Sequence, residues 1–334
     1  MSYVNKILSI TIPSYNTSNY IDFCLPTFLT NAELLDDIEI LIVNDGSKDD
    51  TLLKALKYEE QYPNTVKVID KENGGHGSTI NKGIEFATGK YFKVVDGDDW
   101  VDNLNLTKLV QQLKRLDVDM VVNPYIEYNE RKKQKKIISV RKQQLETNMD
   151  FSNLRFESVI PMHSITYSTS ILKENKICLD EKVFYVDVEY ILYPIPFVKT
   201  IYFLDYPVYI YRYDTPDQSV NTKNTQKNVL HHLKVVDSIA SFCSNLPKET
   251  NENIKEYILE RTVRLINSQY NIYFSFPPSK KMKFTINEFD EHIKKNYPSI
   301  YNHEKYNPFV KAFRKNNNFY SSIWFLNQIR LKFR

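Results

Sequence analysis

Lys93-Val94-Val95-Asp96-Gly97-Asp98-Asp99-Trp100 places three carboxylates at the end of a short apolar strand. Carboxylates this close repel one another, so the cluster makes a poor core and becomes sensible once a cation sits among them. Oxygen-only ligands suit a hard divalent ion, Mg2+ or Mn2+, which usually shares its shell with substrate phosphates. Gly97 permits a tight turn and close approach of a ligand to the backbone. Taken alone, the same residues would also serve as an Asp-rich turn capping the next helix. The residues upstream decide between the two.

Those residues alternate between strand and helix patterns. The spacing predicts strands over 7–12, ended by Pro13, then 38–43, 66–69 and 91–95. Between them it predicts a helix over 20–29, with Ile21, Cys24, Leu25 and Phe28 on one face. A second spans 49–60 with Leu52, Leu53, Ala55 and Leu56 apolar, and a third spans 78–87. Near-continuous apolar strands separated by helices mean a parallel sheet covered on both faces. Ligands in such sheets bind at the carboxyl ends of strands, where the acidic run lies.

Farther along, a helix runs from Leu104 toward Leu116, and strand patterns follow at 119–122, 125–128, 164–167, 200–204 and 208–212. Arg131 to Lys136 reads as a solvated hairpin tip. After about Tyr213 the pattern is helical. One stripe is Val229, Leu233, Val236, Ala240 and Cys243, and another is Ile254, Ile258, Leu265 and Tyr273. Thr285 and Glu288 resemble a capping box. Two domains are expected, residues 1–215 and a helical 216–334.

A chain of 334 residues, 42% hydrophobic and 25% charged, is ordinary for a globular protein, and a net charge of +3 gives no argument for nucleic acid. Cys24, Cys178 and Cys243 are isolated, as in a reduced cytoplasmic protein without disulfides or a zinc site. Neither a secretory signal nor a membrane-spanning stretch is visible. The segment from Lys305 to Arg334 carries seven Lys and Arg, no Asp or Glu, and interleaved aromatics. That is the pattern of a helix lying on an anionic membrane, peripheral on its inner face, or of a packed helix with a solvated basic side.

Four loops at strand ends carry ligand-type residues: Pro13-Ser14-Tyr15-Asn16, Asn44-Asp45-Gly46-Ser47, Glu72 to Gly83, and the acidic run. The third is no dinucleotide fingerprint, because Ile80 stands where the last glycine would be and the loop follows the third strand. A glycine-rich helix start can still hold an anion through backbone N–H groups.

Together these segments resemble the family 2 glycosyltransferases, inverting enzymes with the GT-A fold, a Rossmann-like, mostly parallel mixed sheet flanked by helices. The resemblance rests on residues 9–16, 42–47, 73–83 and 96–99. It implies a UDP-sugar donor, with Pro13 and Tyr15 bordering the nucleotide and Asp45 hydrogen-bonding uracil. Asn16, Asn73, Gly75, Asn81 and Lys82 join the donor side. Asp96 and Asp98 become the paired acids that contact ribose and a Mn2+ or Mg2+ ion, and Asp99 shares either task.

Within Phe184 to Tyr190, Asp187 matches the base that accepts the acceptor's proton, with Glu189 in reserve. Val186 replaces the usual first acid of that pair, Asn44 stands where many relatives have Asp, and Ile80 where they often have Arg. A diphosphate contact is then missing or supplied by Lys82 or His76. His163 belongs to the acceptor pocket or to a hydrogen-bonded core. Arg212 is a phosphate contact or a structural ion pair, and Gln218-Ser219 lie in the loop that folds over the diphosphate in relatives. The acceptor implied is a surface polysaccharide, a lipid-linked sugar or a glycoprotein glycan. Acceptor specificity, homodimer contacts or partner docking remain as roles for the helical region. Two rival readings are a nucleotidyltransferase and a non-catalytic nucleotide-sugar-binding subunit.

Overall fold

The computed structural model describes residues 6–140, 146–155, 159–214 and 222–332, with side chains in the last helix through Ile329. The chain forms two compact units, 1–216 and 217–334. The expected boundary at 215/216 and the Gln218-Ser219 pair fall outside the described residues.

In the first unit the strands are β1 (Leu8–Ser14), β2 (Ile38–Asp45), β3 (Val66–Lys71), β4 (Tyr91–Val94), β5 (Trp100–Val101), β6 (Met120–Val122), β7 (Tyr125–Asn129), β8 (Gln134–Ile138), β9 (Asn148–Asp150), β10 (Ile165–Ser168), β11 (Thr200–Phe203) and β12 (Tyr209–Tyr213). Eight form a sheet in the order β3-β2-β1-β4-β10-β6-β11-β9, and β5-β12-β7-β8 form a second. β3, β2, β1 and β4 are parallel, so their carboxyl ends share one edge. β10 runs antiparallel between β4 and β6.

The alternation in β1 and β2 explains how the large sheet is covered. Leu8, Ile10, Ile12, Ile38, Ile40 and Ile42 share a core with Ile21, Cys24, Leu25, Phe28, Ala55, Leu106, Leu109 and Leu113. On the other face lies helix His76–Phe86. Gly83 allows its close approach, since a Cβ there would sit 2.1 Å from Thr11 Oγ1.

Several local expectations shift for identifiable reasons. Pro13 does not end β1; it pairs with Val43, and Ser14 with Asn44. Its carbonyl accepts from Gly97 N at 3.2 Å, so its missing N–H faces the same edge, beyond the last β4 partner at Thr11. The expected helix over 20–29 divides into Ser18–Cys24 and Pro26–Leu29, because Pro26 has no N–H to continue the ladder. In helix Thr51–Gln61, Leu53 and Leu56 are exposed; Thr51 and Ala55 are buried, and Tyr58 completes the inward line at i, i+4, i+7. Residues 131–136 are exposed around the β7–β8 turn, the solvated tip expected from the sequence.

The acidic run is where the chain leaves the large sheet, after β4, and enters the small one at β5. β5 pairs with β12 through Trp100↔Ile210 and Val101↔Tyr209. That pairing brings Tyr209 and Arg212 to the carboxylates.

In the second unit, helix Glu252–Ser275 is the most buried element, with Ile258, Val263, Ile266, Tyr270 and Phe274 inside. Helix Val229–Ser244 is rotated from the expected stripe, burying His232, Val235, Val236, Ile239 and Ala240. His232 can be inside because its Nδ1 meets Gln269 Oε1 at 2.7 Å. Thr285 caps nothing: the helix begins at Lys280, capped by Ser279, whose side chain accepts from Met282 N. Arg314 lies between the rings of Tyr301 and Tyr306, about 4 Å from each centroid, and its Nε donates to Asp290 at 2.8 Å.

Candidate active site

The first two loops are stitched together before any ligand arrives. Asn16 takes positive φ (54°), which its short polar side chain tolerates. It donates N–H to Ser47 Oγ and accepts from Lys48 N at 2.8 Å. Tyr15 beside it is half exposed. Behind them, desolvation pushes Asp49 up, but hydrogen bonds from Ser18 and Thr51 outweigh it and hold the carboxyl at about 2.

Asp45, at the end of β2, organises the glycine-rich loop. Its Oδ1 accepts from Gly74 N (2.8 Å) and Lys71 Nζ (2.7 Å), and its Oδ2 from Gly75 N (2.8 Å). Asn73 Nδ2 donates to the Asp45 carbonyl. Gly75 requires its identity, with φ at 83° and Lys182 N only 3.2 Å from where a Cβ would sit. Asn44 donates to Asp70 Oδ1 at 2.6 Å, a contact an ionised Asp at position 44 could not make.

The same loop and its helix deliver the segment that carries Asp187. Lys182 N donates to Gly74 O at 2.6 Å. Asn81 exchanges two hydrogen bonds with the backbone of Leu179, at 2.8 and 2.9 Å. Gly77 leaves room for this contact, since a Cβ there would lie 2.1 Å from Asp180 O. Asp187 then opens helix Asp187–Leu192, just after Tyr185 in a left-handed conformation (φ 72°). Positive φ is costly for a bulky aromatic and concentrates at functional sites.

His76 joins the two sides. Its Nε2 lies 2.8 Å from Asp96 Oδ1. Burial pulls its pKa down, but Asp96, Asp187 and Asp98 together raise it above the usual imidazole value, favouring the imidazolium. Desolvation likewise pushes Asp96 up, and His76 more than reverses it, leaving Asp96 below the carboxylate range.

The other two acids go the opposite way. Desolvation and the Asp96 charge raise Asp98, with Arg212 opposing. Burial plus Asp98 and Asp96 push Asp99 well above its ordinary value, although Tyr209 OH (2.6 Å) and Arg212 N (2.8 Å) donate to it. Arg212 stacks on Tyr20 with its guanidinium 4.0 Å from the ring centroid and lies 3.7 Å from Asp98 Oδ2.

Among the described residues, one group of three offers metal-ligand atoms within 4.8 Å of one another: Asp96, Asp99 and His163. His163 packs among Tyr125, Tyr209 and Tyr211, and its Nδ1 is buried with no hydrogen-bond partner. Burial, with Lys93 acting the same way against Asp96, lowers its pKa to about 4, leaving the neutral, ligating form of imidazole. An orphaned nitrogen and two carboxylates that cannot comfortably ionise together fit a divalent cation.

A sequence model described as glycosyl transferase family 2 matches residues 9–174. The chain belongs to that family. It is 34% identical over 130 residues to the glycosyltransferase GlyG of Streptococcus pneumoniae, which covers 38% of this chain and 42% of GlyG. The chain thus spans less than half the length of that relative. The crystal structure of Staphylococcus aureus TarS 1–349 superposes with a TM-score of 0.63 at 17% identity, covering 96% of this chain and 88% of that one; TarS 1–349 is also solved with UDP-GlcNAc and with UDP. The mannosyltransferase PcManGT of Pyrobaculum calidifontis, solved with GDP-Man and Mn2+, superposes at a TM-score of 0.52 and 11% identity, covering 97% of this chain and 86% of that one. The fold is the GT-A fold: a large mixed sheet flanked by helices, followed by a helical region.

Against this family 2 frame, the structure sorts the residues singled out from sequence. It brings Asp96, Asp99 and His163 together, with His76 on Asp96, Tyr209 and Arg212 on Asp99 and Tyr211 on His163, and sets Asp187 near enough to act on the His76 charge. Asp98 lies beside this group, half exposed and paired with Arg212, outside the three-residue cluster. His163 sits with Asp96 and Asp99, among Tyr125, Tyr209 and Tyr211. Glu189 is fully buried and accepts from Asp180 N at 2.7 Å, which ties the preceding loop to its helix. Lys82 pairs with Glu85 on the surface, and Ile80 is buried in the core. Asn73 and Asn81 shape loops through backbone contacts.

Two residues of consequence were not singled out. Tyr209 joins Asp96 and Asp99 from the opposite sheet. Lys93 is wholly buried and donates to the carbonyls of His163 (2.9 Å) and Ile165 (3.1 Å), seating His163 where β4 and β10 part. A lysine in the middle of an apolar strand was its only advance signal.

Proposed function

We propose that this protein transfers a hexose from a UDP-sugar to a hydroxyl of a surface-glycan acceptor, with inversion at the anomeric carbon. The observation that carries this reading is the convergence on His76 of Asp96 and Asp187, carboxylates from opposite parts of the domain. Family membership and the UDP and UDP-GlcNAc complexes of TarS support the donor class.

Asp45 Oδ2, which accepts one internal hydrogen bond, retains a lone pair for uracil N3–H. Pro13 and Tyr15 border the base. Asp96, Asp99 and neutral His163 would hold Mn2+ or Mg2+, and Asp98, exposed beside them, is a further oxygen donor. A bound ion of this kind supplies Lewis-acid stabilisation of charge on the departing UDP oxygen. Arg212, fixed by Tyr20 and Asp98, and the His76 imidazolium balance the diphosphate charge. On the far side of the sugar, Asp187 Oδ accepts the proton of the acceptor hydroxyl as its oxygen attacks C1, and UDP leaves from the opposite face. The acceptor is a growing polysaccharide, a lipid-linked sugar or a glycoprotein glycan on the cytoplasmic side.

A UDP-release assay across UDP-galactose, UDP-glucose and UDP-N-acetylhexosamines, with GDP-mannose as comparison donor and with Mn2+, Mg2+ or EDTA, tests the proposal. Turnover with a UDP-sugar is expected. Asp187→Asn should cut it by about 10²–10⁴-fold while UDP binding persists. UDP binding without turnover under every condition would indicate a non-catalytic subunit, and loss of UDP binding in Asp187→Asn would mean the base is misassigned.

A further inference from the structure

Helix Tyr320–Lys332 has two apolar sides. The inner one is packed: Tyr320 and Ile323 are each 3% exposed, and Asn327 is buried with them at i+4. The outer one is bare, with Phe325, Leu326 and Ile329 exposed by 61%, 50% and 41%, and Phe319 exposed in the turn just before. A helix that needed only one packed face would carry polar residues on the other.

This bare side continues onto a neighbouring helix. Lys283 Nζ donates to Asn318 Oδ1 at 2.6 Å and Asn317 Nδ2 to Asn287 Oδ1 at 3.3 Å, joining the start of helix Lys280–Asn296 to the turn Asn317–Phe319. Phe284, one turn before Asn287 on that helix, is 61% exposed. Lys280, Lys281 and Lys315 are exposed around this corner. From Lys305 onward there is no acid, and of the basic residues Arg314 and Lys305 are engaged by Asp290 and Glu260. The exposed acids on that helix are Glu288, a turn beyond Phe284, and Glu291, a turn farther and paired with Lys294.

We propose that this corner, the outer side of helix Tyr320–Lys332 with Phe284, Phe319 and their lysines, docks on an anionic lipid surface. Exposed aromatics beside unpaired lysines satisfy both layers of a bilayer interface at once: rings enter the acyl boundary while ammonium groups meet anionic headgroups. A second copy of the chain fits worse, because joining two such corners would press lysine clusters together. No helix among the described residues is long and apolar enough to cross a membrane, so the contact is interfacial.

Flotation of the full chain with vesicles tests this independently of the transferase reading. The protein should float with phosphatidylglycerol-containing vesicles, less so in high salt, and hardly with pure phosphatidylcholine. The triple variant Phe325→Ser, Leu326→Ser, Ile329→Ser should lose at least about tenfold in partitioning, as should Lys280→Glu with Lys281→Glu. Both alter exposed residues, and an unchanged thermal melt verifies folding. No flotation, flotation indifferent to both variants, or conversion of a dimer to a monomer by the triple variant in light scattering would each overturn the proposal.

Discussion

Each unit buries a cluster of charged groups, and the two clusters are built on opposite plans. In the second unit Arg314 meets Asp290 and three tyrosines, and Tyr270 and Tyr301 also donate to Asp290. Positive and negative partners match, and hydrogen bonds from Tyr270 and Tyr301 complete the Asp290 carboxylate. In the first unit Asp96 and Asp99 crowd together with half-exposed Asp98 beside them, His163 keeps an orphaned nitrogen, and Lys93 is buried against carbonyls with no acid beside it. Groups that complete one another hold a fold; groups left wanting a partner indicate a ligand. Perturbed protonation is therefore informative only with its cause, because in the second cluster burial raises Tyr270 and, against burial, Tyr270 and the Asp290 hydrogen bond raise Arg314.

The sharpest break in this comparison is Arg314→Met. It leaves Asp290 buried without its cation and should cost about 3–5 kcal/mol in chemical denaturation, while donor binding by the other unit is retained. A loss under about 1 kcal/mol would mean the tyrosines alone satisfy Asp290.

Lys93 tests the other plan through pH. Burial lowers its pKa to about 7 in the fold, whereas the unfolded chain keeps an ordinary lysine near 10.4. Between these values the unfolded state binds more protons, so wild-type stability rises with pH. Relative to Lys93→Met, the wild type should gain about 2 kcal/mol from pH 7 to pH 9, read from denaturation at several pH values. Parallel profiles for the two proteins would contradict this.

Asp99→Asn is the smallest and most telling change. Asn can accept from Arg212 N and donate to Tyr209 OH, because a hydroxyl serves either way. As pH rises past the ordinary carboxylate pKa, the unfolded chain loses the Asp99 proton first, so the raised native pKa costs wild-type stability. In EDTA at neutral pH the variant should be more stable by about 1 kcal/mol, yet bind Mn2+ more weakly by isothermal titration. Destabilisation would mean that Asp99 is a structural group like Asp290.

The sequence was most legible where one face or one strand carried the signal. The apolar runs of β1, β2 and β4 and the acidic run after β4 gave the sheet and its ligand edge, since near-continuous burial leaves few alternatives. Helix surfaces were read less well: Leu53 and Leu56 look like core but face solvent, because Thr51 and Ala55 fit closer against the sheet. Capping was misread at Thr285, where Ser279 already supplied the oxygen. Within the site, Asp187 and Asp96 could be named from their motifs, whereas His76 could be named only as a diphosphate contact and its pairing with Asp96 could not be read.

What the amino-acid sequence determined by itself is the α/β order of the first unit, the helical character of the second, and the carboxylates at strand ends, all consequences of local periodicity and residue chemistry. Only the tertiary structure decided which groups share the site. The β5–β12 pairing carries Tyr209 and Arg212 to the acids, Lys93 seats His163 among them, and Asn81 and Gly74 hold the segment leading to Asp187. Such choices depend on register and backbone contacts between segments far apart in the chain, and these leave almost no mark on the local sequence.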